Sequence, residues 1–162
     1  MHDSAVSASA ELRQRLDAMP AAVQAALAAK ATDLATRLRD HVVKDKLSGQ
    51  LLKVRSGALR ASIQAEVTLD EDAVLARVFS AGDVKYAAIQ EYGGRTAAHD
   101  ILPDRAKALA FLAGGETVFA RIVHHPGSTI PEHAYLRSAL ADMAGEIVSE
   151  LKAAAIQAVQ IS

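Results

Sequence analysis

The chain has no cysteine and no tryptophan, and only three phenylalanines, three tyrosines and four prolines in 162 residues. Without cysteine there is no disulfide framework, no thiolate metal site and no cysteine nucleophile. With so few aromatic rings, the core has to be thin and aliphatic. No apolar run reaches the ~18 residues that a membrane-spanning helix needs. Residues 1–11 lack a basic segment followed by an apolar one, so no secretory signal is expected and the cytoplasm is the default compartment. What is abundant is alanine, 35 residues, while Leu, Ile, Val and Phe together number 41. That aliphatic content is enough for a core and argues against global disorder. The length predicts one domain over 1–162, with 1–19 as a loose N-terminal extension in which residues 10–17 can start a helix capped by Ser9.

Net charge is −1, but the signs are unevenly spread. Residues 1–60 carry ten Lys/Arg against six Asp/Glu, and residues 61–133 carry six against ten. The densest basic stretch runs from Arg37 to Arg60, seven cations against two anions. Such a stretch could follow a phosphate backbone without reading sequence. No aromatic side chain is interleaved for base stacking, so passive contact with DNA or docking onto an acidic protein are the two functional readings. A solvated face is the plain one. Lys53, Arg55 and Arg60 are the candidate interface cations, beside turns at Ser48-Gly49 and Ser56-Gly57 that mark 47–57 as a mobile connection.

Periodicity gives the elements. Pro20 suits a first helical turn and not an interior, so a new or kinked helix is predicted over 20–46, with Val23, Leu27, Leu34, Leu38 and Val42 as its apolar stripe. Ser56 can cap one helical turn over 57–61. Ile63, Ala65, Val67 and Leu69 alternate with polar residues, as a half-buried strand does, and a second strand follows over 74–81 after the Asp70-Glu71-Asp72 turn. A short helix over 86–92 stops at Gly93-Gly94. Residues 93–105 and 124–130 read as loops. Residues 106–113 and 116–124 form a second hairpin around Gly114-Gly115, with Leu109 and Phe111 facing Val118, Ala120 and Ile122. A last helix over 134–160 carries a stripe through Leu136, Leu140, Met143, Ile147, Leu151, Ala154 and Ala158 and is expected to pack across the sheet. The fold class is therefore α+β: an antiparallel sheet of two hairpins (sheet region 62–124), packed against long N- and C-terminal helices, with a short central helix.

Six histidines raise the question of a metal, and His99, His124, His125 and His133 are the residues on which a metal enzyme or hydrolase would rest. Zinc needs three or four ligands converging at ~2.0–2.3 Å, and no H-E-x-x-H spacing occurs. Adjacent His124 and His125 would point to opposite faces of a strand. Neither Ser56 nor Ser62 lies in a nucleophile elbow, and Gly114-Gly115 is not followed by the Lys-Ser/Thr of a phosphate loop. The expectation is no catalysis, no cofactor and no metal.

Three segments, taken in order, resemble a known family. Residues 55–63, Arg55-Ser56-Gly57-Ala58-Leu59-Arg60-Ala61-Ser62-Ile63, are similar to a Thr/Ser-Gly-x-Leu-x-x-Ser-Ile motif. Residues 86–93, Tyr86-Ala87-Ala88-Ile89-Gln90-Glu91-Tyr92-Gly93, resemble Tyr-Ala-x-x-x-Glu-Phe/Tyr-Gly. Residues 130–140, which include Pro131, Tyr135 and Leu136, resemble Pro-x-x-Pro-Phe-Leu-x-x-Ala-Leu. These are motifs of the tail-completion or head–tail joining proteins (minor tail components) of long-tailed phages and prophages, and the likeness covers about 55–145. Ala134 stands where the family has Pro, and Gly94 where Thr often follows the glycine. The resemblance implies a small α+β virion protein without enzymatic activity, assembled in the host cytoplasm and located at the neck or tail. Its partners would be neighbouring copies in a ring (a hexamer is one candidate), head–tail connector proteins and a tail tube or terminator protein. Packaged DNA would be a passive contact, and no membrane is involved. Tail termination is the alternative role within the same class. Gly57, Leu59, Ser62, Tyr86, Glu91, Tyr92, Gly93, Pro131, Tyr135 and Leu136 carry the motifs as structural residues.

Overall fold

The computed structural model describes residues 3–49, 56–70 and 73–161. It is α+β, with two long helices and short antiparallel strands. The chain expected as one domain falls into two compact units, residues 1–87 with 134–162, and residues 88–133.

The first unit is built on helix α1 (Asp3–His41). It does not restart at Pro20: the helix runs through that residue, and the helix start read over 10–17 lies within it, with the helix already under way from Asp3. After His41 the winding loosens into a π-helical turn, Val42–Lys46, in which the Leu47 N–H donates to the Val42 carbonyl at 3.0 Å. That turn ends where the sequence places the helix end, and it buries both Val42 and Leu47. Helix α2 (Ala58–Ser62) then leads into strand β1 (Ile63–Leu69). Gly57, in the left-handed region at φ 73°, is the residue before the helix, and Ser56 contributes only a long bond, Ala58 N–H to its Oγ at 3.3 Å.

Strands β1 and β2 (Val74–Ser80) form the expected hairpin, with Ala65 opposite Val78 and Val67 opposite Ala76. The alternation works as predicted at Ile63, which is buried, and fades toward Leu69, which is exposed. Asp70 and Ala73 close the turn with reciprocal backbone bonds of 2.9 and 3.4 Å; Glu71 and Asp72 lie outside the described residues. Helix α1 packs on both strands of this hairpin and also on the last helix, α4 (Tyr135–Ile161).

Two expectations about α4 are corrected. It packs chiefly on α1 rather than across the sheet. Tyr135, Ala139 and Met143 are buried, and the predicted stripe is buried or half-buried at Leu136, Met143, Ile147, Leu151, Ala154 and Ala158; Leu140, at 50% exposure, is the member that falls off it. The cause is alanine. Ala139 is fully buried, because a methyl group lets neighbouring elements come close, whereas a reading weighted by side-chain size favours Leu140.

The second unit begins within helix α3 (Ala87–Tyr92), which ends at Gly93 as predicted, with φ 69°. Residues 93–105 and 124–130, read as loops, carry two further ladders. Strand β3 (Gly94–Arg95) pairs with β8 (Thr129–Ile130), and β4 (His99–Ile101) pairs with β7 (Val123–His125). Strands β5 (Leu109–Ala113) and β6 (Glu116–Ala120) form the predicted hairpin around Gly114-Gly115. Leu109 lies opposite Ala120 and Phe111 opposite Val118, while Ile122 falls beyond the strand. Among the described residues the two hairpins do not share a sheet, and each of the four ladders has two strands.

Two glycines hold the second unit's turns. A Cβ on Gly93 would come within 2.8 Å of the Glu132 nitrogen. One on Gly127, at φ 83°, would come within 2.2 Å of the Thr96 carbonyl oxygen. Both distances are closer than atoms pack, so neither position accepts a side chain without moving backbone.

Candidate functional site

The motif residues converge on structure. In the first unit, Leu59 and Ile63 from the first motif meet Tyr135 and Ala139 from the third, together with Val42 and Leu47. Ala87, from the second motif, and Leu136 pack against that cluster. Tyr135 is 1% exposed and its hydroxyl donates to the Ala87 carbonyl at 3.4 Å. The Ser62 hydroxyl donates to the Leu59 carbonyl at 2.8 Å and lies 2.7 Å from the Ser80 hydroxyl, which ties α2 to β2.

In the second unit the second and third motifs meet again. The His133 N–H donates to the Gln90 carbonyl at 3.0 Å, and Gly93 lies against Ile130 and Glu132. Glu91 is a buried acid at 3% exposure. Pro131 is exposed. Tyr86 and Tyr92, expected as large apolar bodies of the fold, are both on the surface, Tyr92 at 65%. Each belongs to a short segment with one side turned to solvent, and a phenol tolerates that with its hydroxyl in water.

The basic stretch is mostly spent within the chain. Arg37 on α1 forms ion pairs with Glu146 and, at 2.8 Å, with Glu150 on α4, and Lys30 reaches the other Glu150 oxygen at 3.0 Å. Arg39 and Lys44 share Asp40, at 2.6 and 3.2 Å. Lys46 pairs with Asp142 at 2.7 Å. His41 sits between two carboxylates, Nδ1 2.7 Å from Asp45 and Nε2 3.0 Å from Asp142. Only the doubly protonated ring donates to both.

The titrations follow this seam. The Arg37 and Lys30 hydrogen bonds pull the Glu150 carboxyl down to about 2. The bonds from Glu150 and Glu146 raise Arg37 further above its ordinary value. Asp142, then Asp45, raise His41. Lys46, then His41, lower Asp142. Arg39, then Lys44, lower Asp40. Of the three candidate interface cations, Arg60 is exposed on α2, without an ion-pair partner among the described residues. Lys53 and Arg55 lie outside the described residues.

The histidines do not converge. His99 and His125 stack, centroids 5.0 Å apart, and His124 Nδ1 lies 2.5 Å from Asp100 on the other face of the same ladder. The two stacked rings are opposed in tautomer. His99 Nδ1 lies 3.1 Å from the Ala97 carbonyl and so donates, whereas His125 Nδ1 accepts the Gly127 N–H at 3.0 Å. A cation bridging both rings through Nε2 would require His125 to give up that bond. His133 is not part of the β4–β7 ladder. Among the described residues no group of three or more His, Asp or Glu is placed to hold a metal ion. None of their helices is long and apolar enough to cross a membrane.

What the arrangement offers chemically is therefore surface and charge. The sequence reading missed the ion-pair seam, because its partners lie more than 100 residues apart. The signal that could have found it is Asp142, Glu146 and Glu150, which recur every four residues along one face of α4. No family model, no curated protein and no solved structure matches this chain.

Proposed function

We propose that this chain is a structural protein of a phage particle, acting in head–tail joining or tail completion as one subunit of a ring at the neck. The observation that carries the reading is the shared core. Leu59 and Ile63, Ala87, and Tyr135 and Ala139 come from the three resembling segments, and all lie in or against one apolar cluster. Three motifs, spaced over some eighty residues of sequence, thus serve one packing unit, as motifs that define a fold do. The ring would close through heterologous contacts between copies. The partners would be the connector at the head and the tube or terminator at the tail.

The alternative of a DNA-contacting module rests on residues 37–60. Four of its cations, Arg37, Arg39, Lys44 and Lys46, are already held by carboxylates. A phosphate backbone would have to compete with those bonds, which favours the assembly reading over the DNA one.

Electron microscopy of particles assembled without this chain tests the proposal. Filled heads beside tails of normal length, unjoined, support a joining or completion role. Tails of uncontrolled length support the terminator role instead. Intact infectious particles overturn both.

A further inference from the structure

Hairpin β5–β6 is apolar on both faces and open on both. Leu112 and Phe119 share one face at 76% and 71% exposure, and Phe111 and Val118 are exposed on the other. Among the described residues, neither strand packs extensively on any other element. A lone two-stranded ribbon is marginal in water, so this one gains from being covered.

The two edges differ. Gly114 and Gly115 both have positive φ, 62° and 90°, as the two central residues of a type I′ turn do. Such a turn makes Ala113–Glu116 a hydrogen-bonded pair. The bonded pairs are then every second one, through Phe111–Val118 to Leu109–Ala120, and the N–H and C=O groups of Ala110 and Leu112 point away from β6. The edge they form, Leu109-Ala110-Phe111-Leu112-Ala113, holds no charge and no proline. These are the devices that ordinarily keep an edge from pairing. The β6 edge begins at Glu116 and carries Thr117.

The β5 sequence also fits its own copy. In an antiparallel pairing centred on Phe111, Leu109 falls opposite the partner's Ala113, Ala110 opposite the partner's Leu112, and Phe111 opposite itself. Each leucine meets an alanine, so side-chain bulk alternates with space across the pair. The outward groups of Ala110 and Leu112 are the ones this register joins. A two-fold pairing of this kind uses up the β5 edges and stops at two copies.

We propose that the outer edge of β5 is a self-association site, pairing with β5 of a second copy of this chain to make a four-stranded ribbon about a two-fold axis. A second copy is the occupant because nothing charged on the strand would select a different partner, whereas its own sequence is complementary to itself. The exposed apolar side chains of the hairpin leave roughly 400 Å² open per copy. An interface built from two such patches falls under ~1,200 Å² in total, the size of a weak, reversible dimer. This contact is separate from the ring contacts proposed above and does not depend on them.

Sedimentation of the full chain from about 5 to 500 µM tests it, a range suited to weak association. The expected result is a shift from monomer to dimer across that range. Leu112→Lys, which adds a charge to an exposed edge position, and Ala110→Pro, which removes an outward N–H, should each weaken dimerisation about tenfold or more while the thermal melt is unchanged. Because the chain has no cysteine, Phe111→Cys introduces a single thiol. It should oxidise to a covalent dimer, and Thr117→Cys on β6 should not. A monomer at every concentration, a dimer indifferent to Leu112→Lys, or equal cross-linking through Thr117→Cys would each overturn the proposal.

Discussion

The molecule contains two β-hairpins of similar make and opposite circumstance. Hairpin β1–β2 is backed by α1, and the core formed by Ile63, Leu59, Val42 and Tyr135 lies at its foot. Hairpin β5–β6 has comparable aliphatic content and its own aromatic pair, yet Phe119 and Leu112 stand in solvent. The difference lies in what each ribbon has to pack against. In the first unit two long helices supply apolar faces. In the second, the only buried residue among those described is a carboxylic acid, Glu91. Stability should therefore concentrate in the first unit, while the apolar surface available to partners concentrates in the second.

The sharpest way to break that contrast is to truncate one aromatic in each region. Tyr135→Ala removes the largest fully buried side chain and should cost ~3–5 kcal/mol, a large share of a typical domain's stability. Phe119→Ala should change folding by less than ~0.5 kcal/mol. Urea unfolding of both variants decides it. Equal losses would mean that β5–β6 is a true part of the core and that the contrast is false.

Next in size is the backbone of the second unit. Gly127→Ala puts a Cβ within 2.2 Å of the Thr96 carbonyl oxygen at a φ that alanine dislikes. It should destabilise by more than ~1 kcal/mol where it is felt. With so little core to share, the loss should appear as faster amide exchange at the Thr96 and Ser128 backbone groups, which bond each other at 2.9 Å, rather than as a shift of the main transition. A proportionate drop in the global melt would show that the two units unfold together.

Smaller still is the effect at α4, where sequence and structure disagree. Leu140→Asp, which a stripe through Leu140 would make severe, should cost no more than ~0.5 kcal/mol at a half-exposed site. Ala139→Leu, one residue earlier, should cost ~1–3 kcal/mol by overfilling a closed space. Reversal of the two would put Leu140 back on the buried stripe.

That disagreement shows what was legible. Strand β1 could be read because four apolar residues alternate over seven positions, and α3 because Gly93 stops it. The exposure of Leu140 on α4 could not, since the small residue beside it, Ala139, looks weak when weighed by hydrophobicity. Strands β3, β4, β7 and β8 have two or three residues each, too short for any periodicity. Their existence depends on a partner some twenty to forty residues away. Of the candidate site residues, Leu59 and Tyr135 are buried and Ser62 meets Ser80, whereas Tyr86 and Tyr92 are exposed on short segments with one side uncovered.

The smallest expected effects belong to the α1–α4 seam, whose charges are only partly screened from water, so each pair contributes modestly. The seam nonetheless makes two opposite pH dependences. Glu150 titrates near 2 when folded and near its ordinary 4.5 when unfolded, so it binds fewer protons in the folded state. Its contribution is present above about pH 4.5 and fades as the pH falls toward 2. His41 is raised above its ordinary 6.5. The folded state therefore holds its proton more tightly, and its contribution is full below 6.5 and is lost as the pH rises through the folded value. Melting temperature measured from pH 2 to 9 should fall at both ends. Glu150→Gln should make the acid limb shallower, with Asp40 and Asp142 keeping the rest of it, and His41→Gln should act chiefly on the neutral-to-alkaline limb. Added salt should shrink both slopes, because the pairs are near the surface. If His41→Gln leaves the upper limb untouched, the ring is not the proton holder that its position between Asp142 and Asp45 implies. The contrast between a self-satisfied first unit and an open second one would then rest on Arg37, Arg39, Lys44 and Lys46 without the histidine.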